Sequence, residues 1–85
     1  MNSSMQKTLI EKLEFGDTIR VYLNSGDILT LPYEYTRRIE ASNPEDLKEY
    51  RLIGGGIGIH FPRIDEDISL NGILRYKWSH ELQAS

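Results

Sequence analysis

The chain contains no cysteine, and this absence limits both its chemistry and its cellular setting. Without a thiol there is no disulfide, no thiolate ligand for a metal and no cysteine nucleophile. Small secreted domains usually depend on disulfides, so we expect a reducing compartment and a cytoplasmic protein. Residues 1–12 hold no apolar stretch long enough for a signal peptide, which agrees with that expectation.

Long apolar runs and basic clusters are missing as well. No segment approaches the ~20 apolar residues of a transmembrane helix, so we expect no membrane partner. The chain has 10 lysine and arginine residues against 13 acidic ones, a net charge of −3, and Arg37-Arg38 is its only adjacent basic pair. Because phosphate contacts supply most of the affinity for nucleic acids, we do not expect direct nucleic-acid binding.

The length of 85 residues allows one domain. A chain this short encloses no deep, water-free cleft without exposing its own core, so we expect a protein that is not an enzyme. Residues 8–74 are predicted to form a single α+β domain, with an N-terminal tail over 1–7 and a C-terminal tail, docked or free, over 75–85. The predicted fold is a small antiparallel sheet of about four to five strands with one or two short helices packed on one face.

Alternating apolar and polar residues predict a β-hairpin over residues 18–32. A two-residue loop at Ser25-Gly26 and a three-residue loop that also includes Asn24 give different registers. The longer loop is favoured because it suits a type I turn with Gly26 in the left-handed conformation. It pairs Tyr22 with Ile28 and creates one apolar face, made of Ile19, Val21, Leu23, Leu29 and Leu31.

The remaining elements have weaker patterns. Residues 8–15 favour a strand with Leu9, Leu13 and Phe15 on one face. Asn43-Pro44 is a typical helix start with Asn43 as the cap, and that helix is predicted to run to about Tyr50. The other predicted elements are a short amphipathic helix over Tyr33–Ala41, two strands within Arg51–Phe61 around a glycine bend, and a helical turn over Leu70–Leu74 capped by Ser69.

Several blocks of the sequence occur together in a distinctive order. They are the hairpin with its Ser25-Gly26-Asp27 turn leading to Pro32 and Tyr33, then Leu52 to Pro62, Ile64 to Ser69, and Gly72 to Leu74. Together, over roughly residues 8–74, they resemble the small bacterial family known as domain of unknown function 2442. Phe61 stands where a Trp of the family is expected, and Glu34-Tyr35-Thr36 stands where Ser-Trp-Phe is common. Both changes keep an aromatic residue.

The resemblance implies no established enzymatic activity. Members of the family are often encoded beside small toxin-like proteins, and some are fused to a helix-turn-helix domain that we do not expect in this chain. The resemblance therefore implies a non-enzymatic protein-binding module, and in its most specific form the antitoxin-like partner of a small toxin. This expectation rests on association and not on a chemical mechanism.

One candidate site lies on the hairpin face opposite the apolar one, where Arg20, Tyr22 and Thr30 fall. Tyr and Arg are enriched at protein interfaces, so this face is the predicted partner-binding surface. A solvated sheet face without a partner explains the same pattern. An exposed sheet edge offers a second route, by addition of a partner strand, and a homodimer is compatible with the sequence.

His60 and the triplet Asp65, Glu66 and Asp67 form the second candidate site. These side chains can bind divalent cations, so the alternative function is a metal- or small-ligand-binding domain centred on them. Their spacing does not match a calcium loop, and a solvated acidic turn explains the triplet equally simply. A His–carboxylate pair also allows proton transfer, so a small enzyme completed at a homodimer interface is a third hypothesis.

The glycine run from Gly54 to Gly58 is the third feature with a chemical interpretation. It lacks glycine at the positions that a dinucleotide fingerprint requires, and no Gly-Lys-Ser/Thr follows it. We therefore predict no cofactor, and we interpret the glycines as a sharp bend with close approach of the backbone.

Overall fold

The first half of the chain forms an antiparallel meander. Its strands, in the order β1-β2-β3, are β1 Ile10–Phe15, β2 Ile19–Leu23 and β3 Ile28–Leu31. Tyr22 pairs with Ile28 and Val21 with Leu29, which confirms the predicted three-residue loop. Gly26 has φ 97°, a conformation that L side chains rarely adopt, so the glycine determines the turn. The computed structural model of the chain describes residues 7–84, with side chains to residue 80.

Strand β1 is where it was predicted, but its buried face differs from the predicted one. The pairing of β1 with β2 shifts register between Ile10 and Lys12, so Glu11 lies in a bulge. The bulge brings Ile10 and Leu13, three residues apart, onto the same buried face, with exposures of 1% and 6%. Leu9 is therefore not the buried partner of Leu13, because strand alternation fails at the bulge.

Two short helices and a 3-10 turn follow the meander. The turn is Tyr33–Tyr35, and the helices are α1 Arg37–Ala41 and α2 Pro44–Leu47. The single helix predicted over 33–41 is interrupted by Thr36, whose backbone is extended and whose hydroxyl accepts a hydrogen bond from the Ile39 N–H at 3.1 Å. Asn43 caps α2 as predicted, accepting from the Glu45 N–H at 3.2 Å. The helix ends earlier than predicted, before Tyr50.

The second sheet is also antiparallel, in the order β4-β5-β6. Its strands are β4 Arg51–Ile53, β5 Gly58–Phe61 and β6 Glu66–Ser69. The prediction of a single sheet with four to five strands is therefore wrong, because the structure divides six strands between two sheets. The two sheets do not merge because the free edge of β1 does not pair with a strand of the second sheet. Its Ile10 N–H donates instead to the Gly56 carbonyl in the glycine turn, at 2.9 Å.

The C-terminal helix, α3, spans Leu70–Ala84. Ser69 caps it as predicted, accepting from the Gly72 N–H at 2.9 Å, but the helix continues well beyond Leu74. Its first turns pack on the domain through Leu70 and Ile73, whereas Trp78 is 69% exposed. None of the described helices is long and apolar enough to cross a membrane. Residues 1–6 and 85, which belong to the predicted tails, lie outside the described residues.

Both sheets and all three helices contribute to one apolar core. Its buried members are Ile10, Leu13, Ile19, Val21, Leu23, Leu31, Ile39, Leu47, Ile59, Phe61, Ile68, Leu70 and Ile73. Of the predicted apolar face of the hairpin, four residues are buried and Leu29 is half-buried. The opposite face of the first sheet is turned away from this core, so its side chains are available for other contacts.

Candidate functional site

The strand register places six side chains on the face of the first sheet that is turned away from the core. We call this surface the outer face; it consists of Lys12, Glu14, Arg20, Tyr22, Ile28 and Thr30. Two rows cross the three strands, because Lys12 pairs with Tyr22 and Tyr22 with Ile28, while Glu14 pairs with Arg20 and Arg20 with Thr30. The predicted partner-binding residues Arg20, Tyr22 and Thr30 thus share one surface.

Glu14 organises the outer face. Its Oε1 atom accepts hydrogen bonds from the Tyr22 hydroxyl at 2.7 Å and from the Arg20 guanidinium at 3.0 Å. Lys12 Nζ lies 3.5 Å from Glu14 Oε2 and 4.8 Å from the centroid of the Tyr22 ring, within cation–π distance. One carboxylate therefore holds a tyrosine and an arginine in fixed positions.

The protonation of Glu14 supports this arrangement. The Tyr22 hydroxyl, followed by the Arg20 guanidinium, lowers the pKa of the Glu14 carboxyl below its usual value. Glu14 in turn raises the pKa of Arg20. The carboxylate consequently stays ionised at neutral pH and accepts from both donors at once.

The outer face is open to solvent. Arg20 and Thr30 are exposed, Tyr22 is half-buried, and Ile28 keeps 49% of its surface in contact with water. Within residues 7–84, no helix or second strand layer covers these side chains. The surface therefore combines an apolar residue, a phenol and a guanidinium, the composition that interface cores favour. A binding role for Arg20, Tyr22 and Thr30 stays a prediction.

Sequence reasoning missed Lys12, Glu14 and Ile28 as members of this surface. The bulge at Glu11 hides the register of β1, so the pairing of Glu14 with Arg20 is not readable from alternation. The predicted pairing of Ile28 with Tyr22 is correct, but pairing alone does not show that Ile28 is exposed, because exposure depends on what covers that face of the sheet. A count of opposite charges at cross-strand positions would have suggested Glu14 once the bulge was known.

The second candidate site is only partly assembled. His60 on β5 pairs with Asp67 on β6, and the His60 Nδ1 and Asp67 Oδ1 atoms lie 2.5 Å apart. Arg51 flanks His60 on β4, so the three side chains form one row on the second sheet. The pair is a cross-strand contact on a surface where Asp67 is exposed.

The other two residues of the predicted ligand set point elsewhere. Asp65 adopts φ 53° in the turn before β6, and the Arg38 guanidinium donates to its carbonyl at 2.6 Å. Glu66 pairs with Phe61, on the opposite side of β6 from Asp67, because strand side chains alternate. Within the described residues no group of three potential metal ligands is present. Of the triplet, Asp65 lies in a turn, Glu66 and Asp67 lie in β6, and Asp67 is the member that contacts His60.

The glycine run has a structural explanation. Gly54, Gly55 and Gly56 have φ values of 56°, 74° and 130°, which confirms the predicted sharp bend. A Cβ atom at Gly56 would lie 2.5 Å from the Ile10 carbonyl oxygen, and one at Gly58 would lie 2.9 Å from the Ile68 carbonyl oxygen. The glycines therefore allow the two sheets, and the two strands β5 and β6, to approach closely.

A groove of about 490 Å³ lies beside the first turn of α3. Ile57, Leu70 and Leu74 form its apolar part, and Lys7, Thr8, Ser69 and Asn71 its polar part. None of the side chains predicted to bind a partner or a metal lines this groove. The predicted sites are on the sheet faces instead.

Comparisons with known proteins identify the family. The model of a family described as protein of unknown function (DUF2442) matches residues 10–79. The match covers most of the chain, so the chain belongs to the DUF2442 family, as the sequence blocks predicted. No curated protein matches the chain.

Two solved structures have a similar fold. A protein of unknown function from Rhodospirillum rubrum has a TM-score of 0.73 and 22% identity, over 82% of this chain and 88% of that one. An uncharacterized protein from Chromobacterium violaceum, solved by NMR, has a TM-score of 0.70 and 23% identity, over 79% of this chain and 64% of that one. At these identities the similarity shows the fold alone.

Proposed function

We propose that the protein is a non-enzymatic module that binds another protein through the outer face of its first sheet. The observation that carries the proposal is the shared Glu14 carboxylate, which fixes Arg20 and Tyr22 on an open surface. Binding is weakened when flexible side chains must be ordered on association. A tyrosine and an arginine that are already held in place lose less conformational entropy, and both residue types dominate binding hot spots.

The partner that suits this module is a small protein, and in the most specific form of the proposal a toxin-like one that the module neutralises in the cytoplasm. The family resemblance favours a toxin-like partner, and the net charge of −3 favours a partner of opposite charge. A long-range attraction of this kind increases the rate of encounter, while the outer face provides the specific contacts.

The test begins with affinity purification of the tagged full chain from its native cell, followed by size-exclusion chromatography with light scattering. A partner identified in this way is then purified, and its Kd is measured by calorimetry against the wild type, Arg20→Ala and Tyr22→Ala. Hot-spot truncations typically cost ~2 kcal/mol or more, so each variant is expected to bind roughly thirtyfold more weakly.

Arg51→Ala is the matched control, since Arg51 is an exposed arginine on the second sheet. It is expected to leave the Kd unchanged. Equal affinities of the wild type, Arg20→Ala and Tyr22→Ala for the purified partner would exclude the outer face as the binding surface. Recovery of the chain without any stoichiometric partner would contradict the proposal as a whole.

A further inference from the structure

Within residues 7–84, the outer edge of β3 is protected only by its short length of four residues. Native edge strands usually carry charges, proline or a bulge, or are covered, because open edges pair with other chains. β3 has the sequence Ile-Leu-Thr-Leu with regular pairing to β2, and Ile28 is 49% exposed. Pro32 comes only after the strand ends.

Each of the other edges has such protection. In β1 the Ile10 N–H donates to the Gly56 carbonyl and the Leu13 N–H to the Tyr50 hydroxyl at 3.0 Å, so that edge is covered. β4 begins with the charged Arg51, and β6 carries two acidic residues. Only β3, among the described strands, presents an uncharged and uncovered edge.

The hydrogen-bond pattern identifies which groups the edge presents. The Leu23 N–H donates to the Asp27 carbonyl at 2.9 Å, so the pairs that exchange hydrogen bonds with β2 include Leu29 and Leu31. The N–H and C=O groups of Ile28 and Thr30 therefore point away from β2. They have no hydrogen-bond partner among residues 7–84.

We infer that β3 pairs with β3 of a second copy of this chain, antiparallel about a two-fold axis at Leu29. In this register Ile28 faces Thr30 of the second copy and exchanges two backbone hydrogen bonds with it. By symmetry, Thr30 exchanges two hydrogen bonds with Ile28 of the second copy. It is the register that keeps all of these bonds within the strand, since neighbouring registers need Gly26 of the loop or Pro32, which has no N–H.

The uncharged side chains of β3 suit a second copy as the occupant. The half-buried Leu29 meets its own counterpart on the inner side, which extends the apolar core across the axis. Two chains that each carry a net charge of −3 repel one another, and β3 is the strand that brings no charged side chain to the contact. The product is a six-stranded sheet whose outer faces run together, so dimerisation leaves the proposed partner-binding surface open and doubles it.

The absence of cysteine allows a direct test of the axis. Non-hydrogen-bonded antiparallel pairs have Cα atoms ~4.5 Å apart, within the ~4.4–6.8 Å range of disulfides. Leu29→Cys is therefore expected to form a covalent dimer under mild oxidation, at protein concentrations where Ile53→Cys, an exposed position on β4, does not. Equal cross-linking of the two variants, or none for Leu29→Cys, would overturn the inference.

A charge exchange tests the register without any covalent bond. Sedimentation equilibrium of the wild type should give a dimer, and Ile28→Lys should weaken it by roughly tenfold or more, because an unpaired charge enters the strand pair. In the double variant with Ile28→Lys and Thr30→Glu, the introduced lysine of each copy lies opposite the introduced glutamate of the other. These two ion pairs should restore dimerisation. Circular dichroism confirms that each variant is folded, and Ile53→Lys is the matched control.

The outcomes separate this inference from the proposed function. A wild type that stays monomeric at millimolar concentration would overturn the dimer, whatever the partner assay shows. Loss of dimer in Ile53→Lys, or no restoration in the double variant, would overturn this register. Arg20→Ala should leave the dimer intact, because Arg20 lies one strand away from the axis.

Discussion

Replacing Gly56 with alanine tests the contact that joins the two sheets. The added Cβ would lie 2.5 Å from the Ile10 carbonyl oxygen, 2.8 Å from the Ile10 nitrogen and 2.9 Å from the Leu9 Cβ. Real Cβ atoms do not approach backbone this closely, so β1 must move away from the turn. That movement breaks the hydrogen bond from the Ile10 N–H to the Gly56 carbonyl, at a residue that is 1% exposed.

Gly55→Ala provides the matched control for the magnitude. Gly55 has φ 74° with open space around its Cβ position, so alanine there adds backbone strain alone, about 1–2 kcal/mol. Gly56→Ala adds overpacking of ~1–3 kcal/mol and a lost buried hydrogen bond of ~1–3 kcal/mol. We therefore expect it to destabilise the protein by about 2–6 kcal/mol more than Gly55→Ala does.

Urea unfolding followed by circular dichroism measures both variants. Domains of this size are stable by ~0.05–0.15 kcal/mol per residue, so Gly56→Ala should unfold largely or completely at low urea concentration. A free energy of unfolding within about 1 kcal/mol of that of Gly55→Ala would refute the reasoning, because it would mean that the close approach of β1 carries little energy.

Three further predictions concern single side chains. The pKa of Glu14 is lowered in the folded state, so the stabilisation it provides is present above the usual pKa of 4.5 and is lost as pH falls through the folded-state pKa. Glu14→Gln should therefore flatten the acid side of a curve of unfolding free energy against pH. An unchanged slope would contradict this. Tyr50→Phe removes the acceptor for the Leu13 N–H and should cost ~1 kcal/mol in urea unfolding. Trp78→Ala should change stability by less than about 0.5 kcal/mol, since this side chain is 69% exposed.

Short-range features of the fold were predictable from the sequence. The register of the hairpin follows from Gly26. A three-residue loop with glycine in the left-handed conformation pairs Tyr22 with Ile28, and this pairing puts the apolar residues of both strands on one face. The starts of α2 and α3 follow from Asn43 and Ser69, whose side chains satisfy free N–H groups at the helix ends. The placement of Arg20, Tyr22 and Thr30 on one face follows from the same register.

The tertiary structure decided everything that depends on distant parts of the chain. The division into two sheets results from the contact between β1 and the Gly56 turn, which joins residues far apart in sequence. The role of Glu14 depends on the bulge at Glu11, and the separation of Glu66 from Asp67 depends on β6 being a strand. Turn and cap preferences act over a few residues and can be read directly. Sheet pairing and the burial of faces are settled by the whole chain, which must cover its apolar surface and satisfy its backbone together.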